Sequence, residues 1–303
     1  MKRIGHLYER AFTPGALLAA FHAAARHKHG KRACFNFEKR LASNLDALHR
    51  ELSDYSYRPR SYYSFMVYEP KPRRIFAPAF RDLVVQHAIY AVIGPIFERG
   101  FIDQSFACRI GFGTHKAADY AQAALQACPR DSYTLKLDIR KFFYRIDRST
   151  LRGLIERKIK DQRFVDLMMQ FADHGEPVGI PIGNLLSQLY ALIYLSPLDH
   201  FIKRVLKVRR YCRYVDDFVL FGLTREFALE CKARIVEFLS HLHLELSKAT
   251  LTRRSRGVNF VGYRTWASRR FVRRHSLYNF RQAARHGRMD SLISILGHAR
   301  RTH

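Results

Sequence analysis

The chain is short of acidic residues, of proline, and of any cysteine pattern that could brace a fold or bind zinc. Only 26 of its 303 residues are Asp or Glu against 53 Lys and Arg, so the formal charge is +27. The basic residues run from Lys2 to Arg301 rather than forming one arm, a distribution that favours a polyanionic partner, nucleic acid first. The five cysteines, Cys34, Cys108, Cys128, Cys212 and Cys231, are odd in number, widely spaced and without a C-x-x-C pair. That suggests neither a disulfide framework nor a zinc site, and suits a reducing compartment. With 10 prolines, no low-complexity tract and 48% hydrophobic residues, the sequence is not a disordered tail. It is long enough for a sizeable core, built as one subdivided unit or two small domains. No apolar run reaches the roughly 20 residues of a spanning helix. The longest are Ala88–Phe97 and Leu189–Leu198, while Gly15–Ala25 is broken by His22 and lacks a cleavage signature. The expectation is a soluble cytoplasmic protein with no membrane partner.

What is present reads as an α+β order. Thr13 and Pro14 form an N-cap followed by proline at the first helical position, with Leu17, Leu18 and Phe21 as the apolar face and a basic loop, His27–Arg32, after it. A second helix is predicted over Glu38–Leu52. Strands are predicted at Ser64–Tyr68 and Arg74–Ala77 around Glu69-Pro70-Lys71-Pro72-Arg73, then a helix over Asp82–Phe97. After a glycine-bearing loop, Arg109–Thr114, come a helix near Lys116–Ala127 and a strand, Tyr133–Ile139. In that strand Leu135, Leu137 and Ile139 alternate with Thr134, Lys136 and Asp138, so Asp138 is expected opposite the apolar face.

A second acidic element follows 78 residues after Asp138, in Arg213-Tyr214-Val215-Asp216-Asp217-Phe218. Its flanks read as β, so Asp216 and Asp217 fall at a hairpin tip. Adjacent carboxylates there repel unless a cation lies between them. Magnesium prefers hard oxygen ligands and leaves coordination places for water and phosphate, and paired ions roughly 3.5–4 Å apart suit phosphoryl transfer. An Asp-Asp pair alone is more often an ordinary turn; its neighbours decide.

Those neighbours resemble the reverse transcriptase family, and within it most closely the enzymes of diversity-generating retroelements. The resemblance spans about Gly30 to Trp266 and rests on eight segments in family order. They are Tyr68–Ile75; Arg81–His87; Ser105–Arg109 with Gly113-Thr114-His115; Leu137–Phe143; Gly179–Gln188; Tyr214–Asp217; Leu244–Lys248; and Asn259–Tyr263. It implies an RNA-directed DNA polymerase with the right-hand fold: an N-terminal helical extension over 1–60, fingers over 61–132, a palm over 133–263 and a short basic helical thumb over 264–303. It implies catalysis by Asp138, Asp216 and Asp217, which with Ile139 hold two Mg2+ ions, Mn2+ being a substitute. Nucleotide contacts are expected from Lys71, Arg73, Arg74, Phe143, Ile182, Gly183, Gln188 and Lys248. Primer and template contacts are expected from Arg109, Tyr214, Phe260, Gly262 and Tyr263.

Several of these expectations have a physical basis of their own. Guanidinium forks suit triphosphate oxygens, though the sequence leaves open whether Arg73 or Arg74 makes that contact. Phe143 resembles a steric gate against a 2′-hydroxyl, with one of Phe142 and Phe143 expected in the core. Glycine at Gly262 permits close approach of a primer strand. Where most relatives carry glutamine before the glycine, this chain has Ile182, and Gln188 departs in the same manner. An aliphatic side chain lacks the amide's hydrogen bonds, so looser base selection is expected, with errors at template adenines. The implied partners are an RNA template, a DNA or RNA primer, dNTPs and an accessory variability protein, a small basic helical oligomer; the implied source is prokaryotic or phage-encoded. Near the end, Asp290-Ser291 is expected to cap a helix over Leu292–Ala299. Competing readings are a reverse transcriptase of a retron, a group II intron or a phage-defence system, an RNA-dependent RNA polymerase, and a non-catalytic RNA-binding protein with a decayed palm.

Overall fold

The computed structural model describes residues 3–68, 72–300 and 302. The chain divides into two compact units, each discontinuous in sequence: 1–101 with 143–195, and 102–142 with 196–303.

The first unit is mainly helical. It begins with α1 (Leu7–Ala11), α2 (Pro14–Ala25), α3 (Arg32–Glu38) and α4 (Leu41–Ser53), followed by the hairpin β1 (Tyr63–Val67) and β2 (Arg73–Ala77) and by α5 (Phe80–Glu98). The Thr13 hydroxyl accepts from the Ala16 amide and caps α2, with Pro14 in its first turn as the sequence predicts. The single helix expected over Glu38–Leu52 is instead two, broken at Lys39 and Arg40. Arg40 has non-helical angles, and Asn44 at the start of α4 bonds back to the Phe37 carbonyl. Helix α5 carries the core of this unit, packing on α1, α2 and α3. Its buried Asp82 accepts from the Tyr57 hydroxyl at 2.6 Å and from the Arg60 amide at 2.9 Å, tying the segment before β1 to the helix.

The chain then enters the second unit through α6 (Thr114–Ala127) and β3 (Tyr133–Ile139), and crosses back along the short α7 (Phe142–Arg145). Helices α8 (Arg148–Glu156) and α9 (Gln162–Ala172) are packed together, each with an aspartate N-cap, Asp147 and Asp161. Helix α10 (Leu185–His200) returns to the second unit. It is followed by a π-helical turn, Phe201–Val205, then β4 (Arg210–Tyr214), β5 (Asp217–Leu223), α11 (Arg225–Ser240) and β6 (Leu246–Arg253). These strands and β3 form an antiparallel sheet in the order β4-β5-β3-β6. A separate small sheet of β7 (Val258–Phe260), β8 (Tyr263–Thr265) and β9 (Arg270–Val272) leads to α12 (Arg274–Arg285) and α13 (Met289–Ala299).

Strand β3 keeps its predicted bounds, with Leu135, Leu137 and Ile139 buried. Thr134 is buried as well, against expectation, beside a register shift at Tyr133/Thr134. The final helix starts earlier than predicted, and neither Asp290 nor Ser291 caps it: both lie inside α13, whose N-cap is Arg288.

In the first unit the 179–183 loop is held at both ends. The Gly179 amide donates to the Ile146 carbonyl and the Ile180 amide to the Phe143 carbonyl; on the other side the Phe76 amide donates to Ile182. Gly179 has φ +94°, and a Cβ there would lie 2.9 Å from the Phe143 carbonyl oxygen. Both backbone angle and space demand glycine. Gly179→Ala is therefore expected to cost about 1–3 kcal/mol from backbone strain alone. Gly111→Ala, at φ +78° with no atom within 4 Å of its Cβ, should cost less. Denaturant titration of both variants measures the difference, and equal losses would show that the 179–183 loop is not confined.

Candidate active site

The second unit gathers the three aspartates on its four-stranded sheet. Central β3 pairs with β5 on one side and β6 on the other, so Asp138 stands opposite Asp217 and, across the other ladder, opposite Lys248. Asp216 lies in the β4–β5 turn, and its carbonyl accepts from the Ile139 amide at 3.1 Å. The hairpin tip and the end of β3 are thus joined by backbone. Phe218, Val219 and Leu220 bury β5 behind the pair, while Leu137 and Ile139 do the same for β3. Core packing fixes the strands, and the carboxylates project from their ends.

The electrostatics of this cluster are lopsided. Burial, with the nearby charges of Asp138 and Asp216, pushes the Asp217 carboxyl up to about 6, against the opposing pull of Lys136. The Lys136 ammonium lies 2.8 Å from Asp217 Oδ2 and also donates to the Asn259 carbonyl at 2.7 Å. Asp217 Oδ1 is buried and has no hydrogen-bond partner among the described residues. A buried carboxylate oxygen left open in this way is costly unless a cation completes it. Asp138 accepts from the Ser247 hydroxyl. The donor set is all hard oxygen and fits a divalent cation.

A cleft of about 940 Å³ opens beside these groups. Asp138, Asp217, Lys136 and Lys248 line it together with Arg264, Trp266, Phe271, Arg273 and Arg274. Trp266 has the Arg264 and Arg269 guanidinium groups at 5.2 and 5.3 Å from its ring. Cations and an aromatic face along a groove suit a phosphodiester strand with bases to stack.

The remaining sequence-selected residues fall in several places. In the first unit, the 179–183 loop brings Ile182 and Gly183 against β2, and Phe143 lies at the loop's other anchor. Phe142 is in the core and Phe143 is half-buried, the division expected for the pair. Strand alternation places Arg73 on the same face as Ile75, whose side chain packs where a Gly183 Cβ would project. Arg74 is on the opposite face, 3.4 Å from Glu176 and 3.3 Å from the Ser64 hydroxyl. Lys71 lies outside the described residues. Gln188 is exposed on α10.

In the second unit, the Arg109 guanidinium donates to the Ile102 and Ser105 carbonyls at 2.7 and 2.8 Å and stacks 3.9 Å from the Phe112 ring. Tyr214 and Phe260 belong to the core around α6 and β5. Tyr263 is buried, its hydroxyl donating to the His298 carbonyl, and a Cβ on Gly262 would meet the His298 ring. The Phe260–Tyr263 turn therefore packs against α13. The sequence assigns no individual role to Lys136, Ser247 or Asn259, although Ser247 and Asn259 lie in two of the family segments. The period-two pattern of β3 does put Lys136 on the Asp138 face, which is the one signal that marks it.

Residues 70–265 match the family model described as reverse transcriptase (RNA-dependent DNA polymerase). The chain belongs to the reverse transcriptase family. Its relatives lie in the group II intron and retron-like branch. It is 26% identical over 292 residues to protein YkfC of Escherichia coli (strain K12), covering 80% of this chain and 74% of that protein. It is 31% identical over 165 residues to the group II intron-encoded protein LtrA of Lactococcus lactis subsp. cremoris, over 50% of this chain. The chain spans 27% of LtrA. Telomerase from Candida albicans, solved in complex with a TWJ fragment of telomeric RNA, has a similar fold, with a TM-score of 0.52 at 11% identity over 75% of this chain and 50% of that one. The architecture is a right-hand polymerase fold. Reverse transcriptases depend on divalent metal. No helix among the described residues is long and apolar enough to cross a membrane.

Lys136 partly neutralises the carboxylate cluster, so its removal should be felt most when metal is absent. Lys136→Met is expected to destabilise the metal-free protein by about 1.5–3 kcal/mol, the range for a hydrogen bond to a charged group. Divalent cation should restore more of the melting temperature in this variant than in wild type. A metal-free variant that melts with wild type would show that the ammonium is not needed there.

Proposed function

We propose that the protein copies an RNA template into DNA, with Asp138, Asp216 and Asp217 as the catalytic carboxylates. The observation that carries this reading is the cross-strand pairing of Asp138 with Asp217 beside an unpartnered buried carboxylate oxygen, in a chain of the reverse transcriptase family. Asp138, Asp216 and Asp217 would hold two magnesium ions. The Ile139 side chain is buried, so that residue would contribute through its backbone. When bound, such ions would supply charge neutralisation for nucleotidyl transfer.

The chain's own groups do the rest. The four-part division into an N-terminal extension, fingers, palm and thumb remains our reading of the sequence order. Of the two arginines left open by the sequence, Arg73 is assigned to the triphosphate, because it shares the face of β2 that packs on Gly183. Arg74 is occupied by Glu176 and Ser64 on the other face. Lys71 would accompany Arg73, and Gln188 would act from the exposed face of α10. Phe143 is assigned as the gate against a ribose 2′-hydroxyl, since Phe142 is committed to the core. Lys248, on β6 opposite Asp138, would meet phosphate. The primer and template strands would lie along the cleft, with Arg264, Arg273 and Arg274 on their phosphates and Trp266 on a base. Arg109, Tyr214, Phe260, Gly262 and Tyr263 are kept as primer and template residues outside the cleft lining, with Arg109, Phe260 and Tyr263 also making internal contacts. Such phosphate contacts fix position and not sequence.

Replacing Asp216 and Asp217 by alanine should lower primer extension on an RNA template by at least a thousandfold, with the folded signal retained. Undiminished synthesis by the soluble double variant refutes the polymerase assignment.

A finer part of the reading is infidelity at template adenines in a prokaryotic or phage retroelement that diversifies a target gene, with a small basic helical oligomer as accessory. It is supported by Ile182 and Gln188 in the Gly179–Gln188 segment. Ile182 is half-buried, and its carbonyl is engaged by Phe76 while its side chain stays free of any hydrogen bond. A glutamine amide there can reach solvent or a bound nucleotide without being buried. Ile182→Gln is expected to reduce misincorporation opposite adenine by about tenfold, the factor that corresponds to roughly 1.4 kcal/mol of transition-state discrimination. Sequencing cDNA made by both proteins from one RNA template measures it. An unchanged adenine error rate in an active, stable variant removes Ile182 from the fidelity argument.

A further inference from the structure

Val215, immediately before the aspartate pair, has φ +57°. A β-branched residue in the left-handed region is strained, and such strain persists only where the surroundings fix it. The group that fixes it is Arg213. Its side chain is fully buried, and one guanidinium nitrogen donates to the Val215 carbonyl at 3.0 Å. Two others form a fork on Asp199, at 2.8 Å to Oδ1 and 2.6 Å to Oδ2. Asp199 is itself 1% exposed, and it also accepts from the Tyr211 hydroxyl at 2.7 Å. The Arg213 backbone is pinned independently: its amide donates to the Gln104 carbonyl and its carbonyl accepts from the Phe106 amide, both at 2.9 Å.

We infer that Arg213 is a positioning residue for the candidate metal carboxylates: held by Asp199, its guanidinium fixes the Val215 carbonyl and so the direction in which Asp216 and Asp217 leave the hairpin. The inference rests on the polymerase reading for its functional consequence, but its geometry stands apart from that reading. A buried ion pair is weak evidence of stability by itself, because desolvation offsets its attraction. What separates this one from a simple clamp is the donor left over after Asp199 is satisfied, which ends on a strained carbonyl one residue from Asp216. Lysine has the charge but not the fork, so it can pair with Asp199 or reach Val215, and not both in this geometry. The tip also reports on its own order, because the Ile139 amide donates to the Asp216 carbonyl and loses that protection if the turn swings away.

Two variants test this. Arg213→Lys keeps the charge pair and removes the second function. Arg213→Met with Asp199→Asn removes both charges together and leaves an acceptor for Tyr211, which avoids an unpaired buried charge. For each, hydrogen exchange is read on the metal-free protein, and primer extension is read alongside affinity for primed RNA. The expected result is at least tenfold faster exchange at the Ile139 and Asp217 amides, with Leu220 and Phe221 still protected. The rate constant for extension should fall at least tenfold with RNA affinity within twofold. Wild-type exchange at Ile139 in both variants overturns the inference. So does faster exchange spread through the whole of β4 and β5, which would mark Arg213 as a general structural support. If the wild-type protein makes no DNA on any primed RNA, the polymerase reading fails, and the exchange data still decide whether Arg213 positions the tip.

Discussion

Three carboxylates crowded at one edge of a buried sheet repel one another, and the second unit is organised around holding them there. Asp217 sits in the least favourable position, with burial and both neighbouring acids acting against its charge. Left to itself the turn would relax by swinging the acids apart or taking up protons. The turn is restrained by backbone joints and by the Lys136 ammonium. The Ile139 amide fixes Asp216 to β3, the cross-strand register fixes Asp217 to Asp138, and Lys136 supplies a compensating positive charge at 2.8 Å. Ser247 satisfies Asp138 from the third strand. The supports come from β3, β5 and β6, so the cluster depends on these three strands being paired.

The first unit meets a different demand. Its 179–183 loop rests on a hairpin of modest size. An isolated two-stranded hairpin is marginal in water, and β1–β2 has many exposed side chains, Tyr63 and Tyr68 among them. The loop bonds along β2 through Phe76 and Ile182, which gives the hairpin a further backbone contact. Gly179 and Gly183 make this possible because each adopts a positive φ where a Cβ would strike Phe143 or Ile75. The glycines are the reason that loop, hairpin and the Phe143 turn close on one another.

The parts legible in the sequence are those with a local cause. The period-two pattern of Tyr133–Ile139 predicts β3 to the residue, and Thr13-Pro14 marks the start of α2. The Asp-Asp turn between β-rich flanks predicts the hairpin. What escaped depends on contacts between distant segments. Arg40 interrupts a helix that composition would continue, Lys136 and Asp199 look like ordinary strand and helix residues, and the family segments that hold Ser247 and Asn259 do not show which groups these two meet. Asp199 is the clearest case: a lone aspartate near the end of an apolar helix carries no motif, yet it is fully buried against Arg213. The choice between Arg73 and Arg74 was likewise undecidable from adjacency and follows from strand alternation once the Ile75–Gly183 contact is known.

The excess of positive charge acquires a more specific meaning beside the carboxylates. A +27 chain attracts polyanions over its whole surface, which gives affinity without placement. Placement requires a local contrast, and the cleft provides one. Arg264, Arg273 and Arg274 line it together with Asp138, Asp217, Lys136 and Lys248. Under the function we propose, a phosphodiester strand would be drawn to the arginines and held off the acids until their charge is compensated. Lys136 compensates only one carboxylate oxygen; Asp217 Oδ1 stays open. Under the function we propose, the same arrangement that makes the metal-free cluster unfavourable also makes strand entry and cation occupancy mutually supporting. The cation relieves the carboxylate repulsion, and the strand can advance toward the aspartates only once that repulsion is relieved.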